Sequence, residues 1–84
     1  MPFKVEFTEL AAEKSGRLER AVRDRIVAKL REVAGNPKRY ASSLRGIGAF
    51  RIRVRDYRLI VDIDWDGQVT YVLTLGRRST IYRQ

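Results

Sequence analysis

Four arginines follow one another closely in a short stretch that is otherwise rich in apolar residues. Arg51, Arg53 and Arg55 occupy every second position of FRIRVR, and Arg58 follows a predicted two-residue turn at Arg55 and Asp56. Guanidinium groups bind phosphate and carboxylate oxygens through paired hydrogen bonds and stay protonated at ordinary pH. The stretch therefore indicates a site for an acidic ligand.

The residues between these arginines are apolar, so the stretch has the pattern of a strand with one buried face. A two-residue turn sets the following pairs: Val54 with Tyr57, Ile52 with Leu59, Phe50 with Val61, Arg53 with Arg58, and Arg51 with Ile60. Apolar residues match apolar residues in this register, while Arg53 meets a like charge directly opposite, which destabilises a sheet. Charge that protects an edge strand from aggregation explains a single arginine, but a facing pair is better explained by a bound anion.

The other side chains that could take part in binding or catalysis have simpler interpretations. Asp62 shares a face with Arg58 and is interpreted as an ion-pair partner, and Tyr57 and Tyr71 are interpreted as core or rim aromatics. Trp65, beside a predicted turn, is assigned to edge packing. The residues after Gly76 form a basic tail that also carries an aromatic residue.

The composition narrows the possible chemistry. The chain has 84 residues, a net charge of +8 and neither cysteine nor histidine, so thiolate metal sites, disulfides and an imidazole base are excluded. Nucleic acid, an anionic membrane surface and an acidic protein are all compatible with this charge. With no long apolar run and no signal-peptide pattern, we expect a soluble, cytoplasmic protein with a single domain spanning residues 1–84.

The hydrophobic periodicity predicts an α+β fold with two helices on one face of a small antiparallel sheet. Thr8 is a predicted N-cap, and Gly35 to Pro37 is a predicted helix end. The predicted elements are a short strand at Phe3 to Phe7, helices at Glu9 to about Lys14 and at Arg17 to Ala34, and strands at Ala49 to Val54, Tyr57 to Asp64 and Gln68 to Leu75. The segment from Lys38 to Gly48 is predicted to be irregular, with Leu44 as its buried anchor.

In this order and spacing, several short motifs resemble the RelE toxins of the RelE/ParE toxin–antitoxin superfamily, and its archaeal branch in particular. The motifs are GNP at the helix end, SLRG at Ser43 to Gly46, FRIRV at Phe50 to Val54, DYRLI at Asp56 to Ile60 and LGRRSTIY at Leu75 to Tyr82. The resemblance implies a ribosome-dependent endoribonuclease that cleaves mRNA in the ribosomal A site, inhibits translation and is inhibited by a cognate antitoxin. It implies no cofactor, no metal and no membrane partner.

Matching residues to the family motif gives a predicted site. The resemblance implies that Arg53 and Arg58 bind the scissile phosphate, Arg78 stabilises the leaving oxygen and Tyr82 stacks on a base. Some members have lysines at the positions of Arg51 and Arg53, and arginine is a much poorer general base than lysine. The predicted catalytic residues are Arg53, Arg58, Arg78 and Tyr82, and the predicted RNA-binding residues are Arg51, Arg55, Arg77 and Arg83.

Two alternatives remain at the level of the sequence. The ParE branch shares the fold but binds DNA gyrase without cleaving RNA, and it has no evident need for converging arginines. A non-catalytic RNA-binding module would use the same arginines only to hold phosphates, and its binding would depend steeply on salt.

Overall fold

The computed structural model describes residues 3–40 and 49–77, apart from the side chains of Lys38 and Tyr40. The elements are β1 (Lys4–Phe7), α1 (Glu9–Gly16), α2 (Arg20–Gly35), α3 (Pro37–Tyr40), β2 (Ala49–Val54), β3 (Tyr57–Asp64) and β4 (Val69–Arg77). The α+β fold predicted from the sequence is confirmed. The predicted anchor Leu44 and the SLRG motif lie outside the described residues.

The two main helices begin and end close to the positions that the sequence predicts. The Thr8 hydroxyl caps α1 by accepting a hydrogen bond from the backbone N–H of Ala11 at 3.1 Å. Helix α1 continues through Ser15 and Gly16, beyond the expected end, and α2 begins three residues later than predicted. After α2 ends at Gly35, Pro37 starts the short helix α3, because proline suits the first turn of a helix. The prediction of irregular structure from Lys38 onward is therefore wrong as far as Tyr40.

The sheet has the strand order β1-β4-β3-β2 and is mixed, not antiparallel throughout as the sequence predicts. Strands β2, β3 and β4 form the antiparallel meander that the short turns predict. Strand β1 joins the edge of the meander parallel to β4, with Lys4 opposite Val69 and Phe7 opposite Val72. The helical connection brings the chain from β1 into β2 in the same direction, and the two hairpins then reverse it twice, so β4 also runs parallel to β1.

The core lies between the helices and one face of the sheet. The predicted helical stripe is confirmed from Val22 onward: Ile26, Leu30 and Val33 are buried, and Val22 packs against the core. Leu18 also packs against the core, but it precedes the first residue of α2. The strand residues of the same buried cluster are Phe50, Ile52, Leu59, Val61, Ile63, Val72 and Leu75. Because Ala11 of α1 belongs to this cluster as well, α1 and α2 both pack on the same side of the sheet.

Strand β4 contains an irregularity that changes which residues face the core. The register passes from Ile60 opposite Thr74 to Val61 opposite Val72, so Leu73 is an extra residue in a β-bulge. Thr8 holds this bulge, since its backbone N–H donates to the Val72 carbonyl at 3.0 Å and its hydroxyl donates to the Leu73 carbonyl at 2.7 Å. On the N-terminal side of the bulge, Thr70 and Val72 are therefore buried and Tyr71 is exposed.

None of the helices in residues 3–40 and 49–77 has the length and apolar character required to cross a bilayer.

Candidate functional site

The side of the sheet opposite the core carries most of the charged strand residues, and we call it the polar face. It is formed by Arg51 and Arg53 of β2, by Arg58, Ile60, Asp62 and Asp64 of β3, by Val69, Tyr71 and Gly76 of β4, and by Lys4 and Glu6 of β1. Alternation along each strand assigns these residues to the face, because each has a sequence neighbour that is buried or packs against the core. Thr74, which follows the extra residue Leu73, instead accepts a hydrogen bond from the Lys14 Nζ of α1 at 3.1 Å.

Arg53 and Arg58 face each other across β2 and β3, as the sequence predicts. Directly opposed residues have Cβ atoms about 4.5–5.5 Å apart, so two positive side chains begin side by side at this position. Arg53 is exposed and Arg58 is half-buried. The structure therefore brings two guanidinium groups to one end of the polar face, next to the turn between β2 and β3.

Arg58 is the less solvated member of the pair. Its Nη1 atom is buried and has no hydrogen-bond acceptor in the part of the chain that the structure describes. On the other side of Arg58, β4 presents Gly76, which has no side chain to fill the adjacent space. A buried charged donor without an acceptor is costly, and an anion bound beside Gly76 and Arg53 would satisfy it.

Arg51 extends the positive charge by one step along the strand. It is exposed, and its partner on β3 is Ile60. Two residues of a strand span about 7 Å, so Arg51 lies roughly that far from Arg53 on the same face. The three arginines therefore form a positively charged row on which a nucleic-acid backbone or another extended anion can lie.

Arg55 and Arg77 do not join this row. Arg55 lies in the turn after β2 with a φ of 54°, and Arg77 is the partner of Tyr57, on the core side of the sheet. The Arg77 guanidinium stacks on Tyr57, with Cζ 5.8 Å from the ring centre. The structure therefore separates two of the predicted RNA-binding residues from Arg51, Arg53 and Arg58.

Tyr57 lies between two shallow depressions at the end of the sheet. One, of about 340 Å³, is lined by Val22, Arg25, Val54, Arg55, Asp56 and Tyr57. The other, of about 540 Å³, is lined by Lys14, Arg17, Leu18, Tyr57, Leu75, Gly76 and Arg77. Arg55 and Arg77 thus belong to a second basic surface, next to the helices.

The remaining predicted site residues, Arg78, Tyr82 and Arg83, lie outside the described residues, and their roles stay predictions. Arg78 directly follows Arg77, the last residue of β4.

Tyr71 lies on the polar face, although the sequence alone is equally compatible with a position in the core or at its rim. Its side chain is 38% exposed, and its partners are Asp62 on β3 and Glu6 on β1. In an unbroken strand, the apolar alternation of Val69, Tyr71, Leu73 and Leu75 would bury the tyrosine ring. The bulge at Leu73 reverses this orientation, and nothing in the local sequence signals it.

A family model and several solved structures relate the chain to one family of toxins. A family model described as the ParE toxin of the type II toxin–antitoxin system parDE matches residues 5–82. No curated protein sequence matches the chain. The family match therefore covers all but a few residues at each end.

Several solved structures share the fold. An arginine-to-alanine double mutant of the E. coli toxin RelE, bound to a peptide of the antitoxin RelB, is 30% identical, with a TM-score of 0.82 over 99% of this chain and 93% of that one. The RelBE2 toxin–antitoxin complex of Mycobacterium tuberculosis is 26% identical, with a TM-score of 0.82 and coverages of 93% and 100%. The archaeal RelE–RelB complex of Pyrococcus horikoshii, at 23% identity, a TM-score of 0.79 and coverages of 95% and 99%, shares the fold.

Proposed function

We propose that this chain, which belongs to the RelE/ParE family of type II toxin–antitoxin toxins, is an endoribonuclease that cleaves mRNA in the ribosomal A site. The observation that supports this most directly is the facing pair of Arg53 and Arg58, with the Nη1 atom of Arg58 buried and without an acceptor. A phosphate between the two guanidinium groups would neutralise both and accept the unused hydrogen bond. We propose an antitoxin as the protein partner, as in the solved RelE complexes with RelB.

The reaction needs no protein nucleophile. The ribose 2′-oxygen attacks the adjacent phosphorus, the bond from phosphorus to the 5′-oxygen breaks, and a 2′,3′-cyclic phosphate and a 5′-hydroxyl are formed. In this scheme Arg53 and Arg58 stabilise the negative charge that develops on the phosphate oxygens. Such preorganised electrostatic stabilisation is commonly the largest single contribution to catalysis.

The other predicted residues assist this step. Arg51, one step along the strand, holds a flanking phosphate. Arg78 donates a proton or a hydrogen bond to the departing 5′-oxygen, and Tyr82 stacks on a base. Because arginine is a poor base and the chain has no histidine, water or the ribosome accepts the proton of the 2′-hydroxyl.

Primer extension on ribosome-bound mRNA tests this proposal. The wild-type protein is expected to give discrete breaks at codon spacing, and Arg58→Ala and Arg78→Ala are expected to abolish them while the proteins remain folded. Arg20→Ala is the matched control, because it removes the same charge from a side chain on α2 that is 89% exposed. Undiminished cleavage by both site variants would exclude this site.

A second candidate function is inhibition of DNA gyrase, which the match to the ParE family model favours. In that case messages stay intact, expression of the protein induces a DNA-damage response, and Arg58→Ala leaves growth arrest unchanged. A non-catalytic RNA binder gives neither result. It binds RNA with a steep salt dependence and releases no cyclic phosphate.

A further inference from the structure

Tyr71 is exposed at an energetic cost to the fold. Beside it in sequence, Thr70 is completely buried, and its hydroxyl makes no hydrogen bond within the described residues. The opposite orientation of the strand would bury an aromatic ring and leave the threonine hydroxyl in water. A fold that prefers the less favourable arrangement at both positions suggests a role for the tyrosine ring on the polar face.

The bulge that produces this arrangement is held in place. The backbone N–H and the side-chain hydroxyl of Thr8 donate to the carbonyls of Val72 and Leu73. Bulges commonly re-aim a side chain beside a functional site. Thr8 thereby connects the cap of α1 to the orientation of Tyr71.

The charges around Tyr71 differ in sign from those around Arg58. Asp62 and Glu6 are its direct partners on the two neighbouring strands, so the backbone of each acidic residue lies one strand spacing, about 4.8 Å, from that of Tyr71. Carboxylates repel a phosphate but accept hydrogen bonds from the amino groups of bases. The surroundings of Tyr71 therefore suit a base rather than the RNA backbone.

The distance to the arginine row fits a single nucleotide. Along the strands, the pair of Asp62 and Tyr71 is two residues from the pair of Ile60 and Arg51. Across the sheet, Tyr71 on β4 is two strands away from Arg51 on β2. These offsets of about 7 Å and 10 Å place the two Cα atoms roughly 12 Å apart. Both side chains are long and lie on the same face, with the half-buried Ile60 on the strand between them, so this separation leaves room for a phosphate on Arg51 and its base on Tyr71.

We propose that Tyr71 is a stacking platform for an RNA base and that Asp62 selects bases that carry an amino group. Adenine, cytosine and guanine each offer an N–H donor from an exocyclic amino group, whereas the single ring N–H of uracil lies between two carbonyl oxygens that the carboxylate repels. The inference rests on the proposed RNA substrate and assigns base selectivity to a part of the polar face away from Arg53 and Arg58.

Binding of short oligonucleotides that resist cleavage tests the inference. The probes are fluorescein-labelled 2′-O-methyl RNA pentamers that differ at one base, measured by anisotropy at fixed low salt. The wild-type protein is expected to bind the uracil probe more weakly than the others. Tyr71→Ala is expected to weaken all four by about 5- to 150-fold, the range of base–aromatic stacking, and Tyr71→Phe is expected to bind like the wild type.

The Asp62→Asn variant tests the selectivity separately. The amide keeps the shape of the carboxylate but offers both a donor and an acceptor, so the uracil probe is expected to bind nearly as well as the others. Arg53→Met is the matched control: it is expected to weaken all four probes equally and leave their ratios unchanged. Circular dichroism confirms that each variant is folded.

Each of the two variants has a result that would overturn one part of the inference. Wild-type affinity in Tyr71→Ala would overturn the stacking platform, and unchanged probe ratios in Asp62→Asn would overturn selection by the carboxylate. Because these probes lack the attacking hydroxyl, the binding result does not depend on cleavage. Base-selective binding combined with intact messages would reject the endoribonuclease and leave this inference standing.

Discussion

Replacing Arg58 by methionine is expected to make the free protein more stable and to inactivate it. Methionine retains most of the aliphatic stem and removes the guanidinium group, whose Nη1 atom is buried without an acceptor. An unsatisfied buried donor costs about 1–3 kcal/mol, and a directly opposed like charge adds up to about 1 kcal/mol. Because Arg58 is only half-buried, we expect a net gain of about 1–2 kcal/mol in the free energy of unfolding.

Urea and thermal unfolding followed by circular dichroism measure this gain. For a domain of this size, a gain of about 1–2 kcal/mol corresponds to a melting temperature about 4–16 °C higher. Arg53→Met, which removes the exposed member of the same pair, is expected to change stability much less, and Arg20→Met serves as the control for net charge. Sulfate or a short RNA is expected to stabilise the wild-type protein more than Arg58→Met, because only the wild-type protein retains the unpaired donor. A loss of stability in Arg58→Met would refute the argument that the pair is maintained for a ligand.

Three further substitutions test the fold that positions the site. Thr70→Val keeps the shape of the side chain and removes its unpartnered buried hydroxyl, so the free energy of unfolding is expected to rise by about 1 kcal/mol. A lower midpoint of urea unfolding would show that the threonine hydroxyl does make a stabilising hydrogen bond. Arg55→Gly relieves a positive φ and is expected to raise the melting temperature by several degrees, equivalent to about 1 kcal/mol, whereas no change would argue against strain in this turn. Leu30→Ala leaves a cavity between α2 and the sheet and is expected to cost about 2–5 kcal/mol in urea unfolding, and a cost below 1 kcal/mol would contradict its place in the core.

The part of the site formed by β2 and β3 could be predicted from the sequence because local rules determine it. The alternation of Phe50, Ile52 and Val54 defines the buried face, and a two-residue turn fixes the register. Together they place Arg53 opposite Arg58 without any information from the rest of the chain. The predicted bounds of β2 and β3 are confirmed at both ends of each strand.

The part of the site formed by β4 could not be predicted in the same way. Its parallel pairing with β1 joins residues more than sixty positions apart, and no short-range signal encodes such a contact. The turn before β4 ends one residue later than expected, since Gln68 takes up a positive φ of 56°. Arg77 also faces the core side of the sheet, so its position in a basic tail does not indicate which surface it serves.

The bulge at Leu73 shows how a distant residue can decide the chemistry of a surface. Without the extra residue, the alternating positions Val69, Tyr71, Leu73 and Leu75 of β4 would all face the core. The polar face would then carry Thr70 in place of the tyrosine ring. Thr8 stabilises the bulged arrangement by donating two hydrogen bonds to consecutive carbonyls, and it caps α1 at the same time. The first turn of α1 and the orientation of Tyr71 are therefore coupled through one side chain. It follows that a change at Thr8, far from Arg58 in sequence, can alter the proposed base platform and leave the arginine row intact.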